Sequence, residues 1–261
     1  MHPVIARIGP FTVKWYGLSY ALALLVALVV MRAESRRKSL GLAWEDWIDF
    51  VLITFPLGLV GARLYYVAFH LGAVLADPRL LIGWDPARGG VAGLAIHGGL
   101  IGGALGVYLF KRIKGLPFWK LADVIVLALP LAQALGRWGN FMNGDAYGLP
   151  TELPWGIVFP SNSPAGARYP GRPLHPSMLY ELVLNLVIFS LLWHLRRKDY
   201  GDGFLTALYF ISYSLVRSLV SFSRADSLWV GPIRAAHLIS IFLVAFFSYL
   251  IFKRGLYKSS A

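Results

Sequence analysis

The strongest constraint on this chain is a series of apolar segments, each close to the length of a bilayer-spanning helix. Such a helix needs roughly 20 mostly apolar residues. Seven segments answer to that: Trp15–Met31, Ile48–Phe69, Val91–Phe110, Phe118–Gly136, Pro176–His194, Phe204–Phe222 and Ala235–Phe252. Hydrophobic residues make up 57% of the 261 and charged residues 15%, where soluble domains carry about 25% charge. The balance excludes a disordered chain and argues against a soluble enzyme. The expectation is an all-α polytopic membrane protein with seven transmembrane helices, built as one integral membrane domain over residues 1–261. Pro56, Gly58, Pro130 and the Gly98–Gly99 and Gly102–Gly103 pairs fall inside spans. Neighbouring helices satisfy the backbone groups that such residues free in lipid. The small residues of 98–106 also suit close helix packing.

Lys and Arg total 25 against 13 Asp and Glu, a net charge of +12. In a soluble protein that excess would suggest nucleic acid; between membrane spans it sets topology. Arg32, Arg36, Arg37 and Lys38 follow the first span. Lys111, Arg112, Lys114 and Lys120 lie at the facing ends of the third and fourth. Arg196, Arg197 and Lys198 follow the fifth, and Lys253, Arg254 and Lys258 follow the last. By the positive-inside rule these ends are cytoplasmic, which puts the N-terminus outside and the C-terminus inside. The first span lacks a basic segment before it and reads as a retained anchor rather than a signal peptide. The opposite side carries a long segment, about 138–175, rich in Gly, Pro, Trp and Arg. Loops of that length are usually functional or disordered.

Ionisable groups inside the membrane cost about 2.5–3.5 kcal/mol each near a helix centre, so they rank first as functional candidates. Arg63 lies roughly 9 Å inside the outer end of the second span at 1.5 Å per residue. His97 is at similar depth in the third, Arg217 slightly shallower in the sixth, and Glu181 five residues into the fifth. Arg137 closes the fourth span and Tyr16 opens the first. All six favour the outer half. Guanidinium groups recognise phosphate through a planar fork of donors, so Arg137 and Arg217 at headgroup depth suggest an anionic phospholipid. Arg63 has an equally good reading as a snorkelling anchor, and Glu181 reads better as a neutralising partner than as a catalyst. Between Gly136 and Gly148, four glycines accompany Arg137, Asn140, Asn143 and Asp145, the composition of an anion-binding turn or of a bland connector. The absence of cysteine excludes a thiol from this chain. No His/Asp/Glu set has metal-ligand spacing, so neither metal nor cofactor is expected.

The Gly136–Gly148 segment resembles the signature of the prolipoprotein diacylglyceryl transferase family. Other pieces match in order: Trp15–Tyr16–Gly17, Gly61–Ala62–Arg63, His97 through Gly102, His175–Pro176–Ser177 with Leu179–Tyr180–Glu181, and Arg217 with Arg224 through Ser227. The resemblance implies transfer of the diacylglyceryl group of phosphatidylglycerol to the lipobox cysteine of a prolipoprotein signal peptide. A thioether forms and glycerol 1-phosphate leaves. It also implies a bacterial cytoplasmic (inner) membrane location, with a monomer sufficient for the chemistry and no nucleic-acid partner. Carried over to this sequence, His97, Arg137, Arg217 and Tyr16 take catalytic roles. Arg137, Arg217, Asn140, Asn143, Gly148, Arg63 and Asp145 bind substrate, and His97 is the proposed base.

Three positions depart from the family pattern. Asp145 and Ser221 stand where glutamate is usual, and His237 where glutamine is frequent. Ser221 removes an i,i+4 carboxylate partner from Arg217, leaving Glu181 or Asp226 to position it. The rival reading is a diverged, non-catalytic phospholipid-binding homologue. A retinal protein is disfavoured because the last span has no lysine before Lys253, and a transporter because no paired broken helices are visible. An aspartate-dependent phosphotransferase is disfavoured because Asp123 stands alone.

Overall fold

The computed structural model describes residues 4–9, 11–85, 90–91, 93–198 and 200–258. Long helices dominate: α1 (Trp15–Arg37), α2 (Trp44–Phe69), α4 (Ile96–Ile113), α5 (Phe118–Asn143), α7 (Ser177–Leu195), α8 (Phe204–Ser221) and α9 (Ala235–Arg254). Short helices α3 (Leu71–Ala76) and α6 (Pro164–Arg168) sit in the connections. Three two-stranded antiparallel hairpins complete the inventory among the described residues: β1 (Val4–Ile8) with β2 (Phe11–Lys14), β3 (Trp84–Asp85) with β4 (Gly90–Val91), and β5 (Trp229–Val230) with β6 (Ile233–Arg234). The all-α expectation holds for the spans and misses these ribbons.

Among the described residues, six helices are long and apolar enough to cross a membrane: α1, α2, α5, α7, α8 and α9. The protein is therefore a polytopic membrane protein. The expected third span forms as α4, but its glycines, His97, Lys111 and Arg112 dilute its apolar content below that mark. It also starts at Ile96 rather than Val91, because Gly90–Val91 pair as a strand and Gly93 takes a left-handed φ of 68°. The outward faces of the spans are aliphatic and aromatic (Leu52, Phe55, Ile241 and Phe242 are all exposed). That arrangement suits hydrocarbon as solvent.

The chain forms two compact units. One comprises residues 35–121, the other residues 1–34 with 122–261; α1 and α5 run across the boundaries. In the first, α2 and α4 pack backbone to backbone. Gly98, Gly102 and Gly106 are buried on α4. A side chain at Gly61 would drive into Gly98 and Gly102, and one at Gly106 into Thr54, 2.7 Å from its Cα. Small residues at i, i+4 and i+8 thus make the close seam their spacing suggests. Arg63 is anchored in the same unit: Nε donates to the Leu81 carbonyl at 2.9 Å and NH1 to the Gly93 carbonyl at 2.8 Å.

In the second unit, Asp123 caps α8 from inside the protein. Its carboxylate accepts from the Gly203 and Thr206 amides and from the Thr206 hydroxyl at 2.7–2.9 Å. These satisfy orphan donors of a helix start that hydrocarbon would otherwise leave unpaired. The lone aspartate therefore has a structural duty. Glu34 on α1, fully buried, pairs with Arg196 at 2.9 Å beyond the end of α7. The long segment from 144 to 176 is ordered around a core of its own: Phe159, Ala165, Leu174 and Met178 are buried, with Phe141, Tyr147 and Tyr169 packed on them.

Candidate active site

The site grows from the end of α5. The sequence pattern ends the fourth span at Gly136 and makes residues 137–148 a turn; the helix instead continues to Asn143. Glycines act as breakers in water, but within a packed membrane helix they are tolerated. Arg137 and Asn140 consequently sit three residues apart on one helix face, and only residues 144–148 form the turn. This is the carbonyl end of the helix, where the macrodipole favours cations. The helix end itself therefore offers an anion nothing, and only side chains could hold one.

Arg137 NH1 donates to Asn140 Oδ1 at 3.2 Å, and Asn140 Nδ2 donates to Asp145 Oδ1 at 2.6 Å. Asn143 Nδ2 donates to the other Asp145 oxygen at 2.7 Å. Both asparagine amides thus donate to Asp145, and Asn140 relays that carboxylate to Arg137. The aspartate is long enough to receive both amides, which makes the missing methylene at 145 a mild change.

Glu181, four residues after the start of α7 and 1% exposed, is the hub. It pairs with Arg137 from α5, with Arg217 from α8 at 2.5 Å, and with Arg224 beyond α8 at 3.0 Å. Arg224 also makes a two-pronged contact with Asp226, Nε to Oδ1 at 2.8 Å and NH2 to Oδ2 at 2.6 Å. Burial alone would lower the pKa of Arg224, but the Asp226 hydrogen bonds and the field of Glu181 outweigh it and raise it above the ordinary guanidinium value. The three arginines are not equivalent. Arg224 is 7% exposed, whereas Arg137 and Arg217 keep 23% and 29% of their side-chain surface. Two guanidinium groups are therefore oriented by a shared buried carboxylate and still open on one side.

The backbone around this cluster depends on Gly148. Its amide donates to the His175 carbonyl at 2.9 Å, the Leu149 amide to Ser223 O at 2.8 Å, and the Ala225 amide to Tyr147 O at 3.3 Å. A Cβ on Gly148 would lie 2.5 Å from His175 Cβ and from Ser177 Oγ. Only glycine lets the turn slip between the start of α7 and the segment carrying Arg224. Gly148 therefore shapes the site through its backbone. Tyr16 is exposed at the start of α1, 3.1 Å from the Tyr20 hydroxyl. Gly139 of α5 packs closely on the Tyr16–Ser19 stretch.

His97 and Arg63 belong to the 35–121 unit. His97 is exposed at the second position of α4, its ring 5.8 Å from that of Tyr65. Ser221 is buried, and its carbonyl accepts from Arg234. His237 lies 2.6 Å from the Ser218 hydroxyl, Nδ1 to Oγ. Arg224 and Glu181 carry more of the site than their places in the sequence suggest. The Arg224–Asp226 pair and the span glutamate are visible there as residues, but their joining is not.

These features define a helical integral membrane protein with three arginines gathered on one buried carboxylate. The family profile of prolipoprotein diacylglyceryl transferase matches residues 3–253. The chain belongs to that family. It is 38% identical to the phosphatidylglycerol–prolipoprotein diacylglyceryl transferase of Clostridioides difficile, covering 88% of this chain and 86% of that protein. The enzymes of the same name from Fervidobacterium nodosum and Thermotoga maritima are 39% and 37% identical, covering 96% and 95% of this chain and 86% and 84% of theirs.

Proposed function

We propose that the protein transfers the diacylglyceryl group of phosphatidylglycerol to the cysteine thiol of a prolipoprotein. The observation that carries the proposal is Glu181 holding three arginines of which two, Arg137 and Arg217, remain accessible. A phosphodiester fits the open edges of two such forks. The reacting thiol comes with the substrate, since the chain has no cysteine. Its sulphur, with a pKa near ~8.5, must lose its proton to attack. His97 is the proposed acceptor of that proton, on the strength of the family resemblance. The new C–S bond forms at the glycerol carbon that bears the phosphate. The C–O bond breaks, and its electron pair leaves on glycerol 1-phosphate, where the arginines stabilise the developing charge. Asn140 and Asp145 position Arg137, Gly148 keeps the turn closed, and Tyr16 borders the site.

In this reading α4 is a seventh span, the N-terminus faces outward and the basic helix ends face the cytoplasm of a bacterial cell, across its inner membrane. The last turns of α1, α4 and α9 carry Arg36–Arg37, Lys111–Arg112 and Lys253–Arg254, which supports that orientation. One chain, acting as a single domain, suffices. The test is transfer of label from glyceryl-labelled phosphatidylglycerol to the cysteine of a lipobox peptide by the purified protein. Headgroup binding without transfer would favour a binding homologue.

A further inference from the structure

Helices α8 and α9 are both among the spans, so the segment that joins them, residues 222–234, lies at a bilayer surface. Its first part carries Arg224 and Asp226 into the arginine cluster. Its second part is the β5–β6 hairpin, and there the chemistry changes: residues 227–233 carry no charge. Leu228, Trp229, Val230 and Ile233 are all exposed, Leu228 to 70%. Gly231, at φ 59°, takes the first central place of the turn, where a primed hairpin turn needs a positive φ. A Cβ there would meet nothing within 4 Å, so the tip stands clear of the other described residues.

The base of the hairpin is fixed to α8. Ser221, the last residue of that helix and one turn past Arg217, receives Arg234 at its carbonyl. The same oxygen accepts from the Arg224 amide and from the Ser227 hydroxyl, each at 3.4 Å. Both flanks of the hairpin thus meet on a carbonyl that the helix leaves without an internal partner. Arg234 stands opposite Trp229 in the ladder. Its guanidinium lies 5.1 Å from the centre of the Trp229 ring and 5.6 Å from that of Phe222. An indole among aliphatic side chains, with one arginine at the base, is the composition of a segment seated in the headgroup layer. Tryptophan favours that level, and arginine reaches lipid phosphate from it while its stem stays in apolar surroundings. Pairing of the strands satisfies the backbone groups that face each other, which lowers the cost of leaving water. The apolar surface also continues into the lipid-facing sides of the spans, through Leu219 and Phe222 at the end of α8 and Leu238 at the start of α9, all exposed.

We propose that the β5–β6 hairpin is a membrane-interface anchor, its tip from Leu228 to Ile233 seated among the headgroups and upper acyl chains of the lipid bilayer. The chain has no cysteine, so Leu228→Cys, Val230→Cys and Ile233→Cys each carry a single nitroxide spin label, and three positions allow for one that fails to fold. Each labelled protein is placed in liposomes of phosphatidylglycerol and phosphatidylcholine. The labels are expected to collide more often with oxygen, which concentrates in lipid, than with a water-soluble nickel complex. More frequent collision with the nickel complex at two of the three positions puts the tip in water and overturns the anchor. Spin–spin broadening that disappears on dilution with unlabelled protein also overturns it, because the tip then meets a second copy of the chain. None of these readings depends on turnover.

Discussion

Two kinds of arginine lie within the spans of this protein, and their partners separate them. Arg63 has main-chain carbonyls among its partners: its donors reach Leu81 and Gly93, and its guanidinium lies 5.1 Å from the centre of the Tyr66 ring. Gly83 and Gly93 fit against the guanidinium so closely that a Cβ on either would collide with it. Such an arginine is a rivet for the segment after α3. Arg137 and Arg217 share one buried carboxylate with Arg224 and keep part of their surface open. The sequence presents all of them alike, as costly charges near the outer ends of apolar segments. Depth marks a constraint; only the partner says whether it is architectural or chemical.

The sharpest way to break that contrast is to remove the shared partner. Glu181→Ala leaves three arginines facing one another without their carboxylate. Breaking a buried ion pair costs about 3–5 kcal/mol, so the variant is expected to accumulate poorly and to lose its thermal transition; wild-type melting would show that Glu181 is dispensable. Next come the arginines themselves. Arg217→Ala is expected to reduce transfer by about 10²–10³-fold, the usual loss for one preorganised oxyanion donor, with insertion and melting near wild type. Gly148→Ala comes third: its methyl group meets His175 and Ser177, and overpacking typically costs about 1–3 kcal/mol. A lower melting temperature with a matching loss of transfer is expected, measured by thermal shift and label transfer together.

Arg63→Lys sharpens the other side of the contrast. A lysine cannot reach both carbonyls with the fixed fork of arginine, so stability should fall by about 1–3 kcal/mol, while transfer at low temperature stays close to wild type. A loss of transfer without a loss of stability would move Arg63 into the chemical group. Ser221→Glu has the smallest expected effect. Glu181 already holds Arg217 at 2.5 Å, so a second carboxylate one turn away should leave turnover within about threefold. A large loss would show that the site is built around serine.

The spans are legible in the sequence because apolar length is a strong signal, and so is the α2–α4 seam, because glycines four apart on one helix admit a second backbone. The end of α5 is not: Gly136 and Gly139 look like punctuation until neighbouring helices are present to stabilise them. The candidate site divides in the same way. Arg137 and Arg217 stand out as charges in apolar sequence, and the departure at Ser221 points to another carboxylate. The sequence narrows it to Glu181 or Asp226 and goes no further, because Glu181 lies 36 residues from Arg217 and 43 from Arg224, and sequence spacing over such intervals carries no geometry. Asn140 and Asn143 look like donors for a ligand; folding turns both toward Asp145. Gly148 owes its role to a backbone crossing formed by three separate segments.

The central claim is that Arg137 and Arg217 hold the lipid phosphate, and it is tested most directly by label transfer in nanodiscs. Wild-type protein, Arg137→Ala, Arg217→Ala and Arg63→Lys are each given labelled phosphatidylglycerol and a lipobox peptide. The account predicts labelled thioether from wild-type and Arg63→Lys proteins and essentially none from the two alanine variants, all four being folded. Near-normal turnover by Arg137→Ala or Arg217→Ala would contradict it.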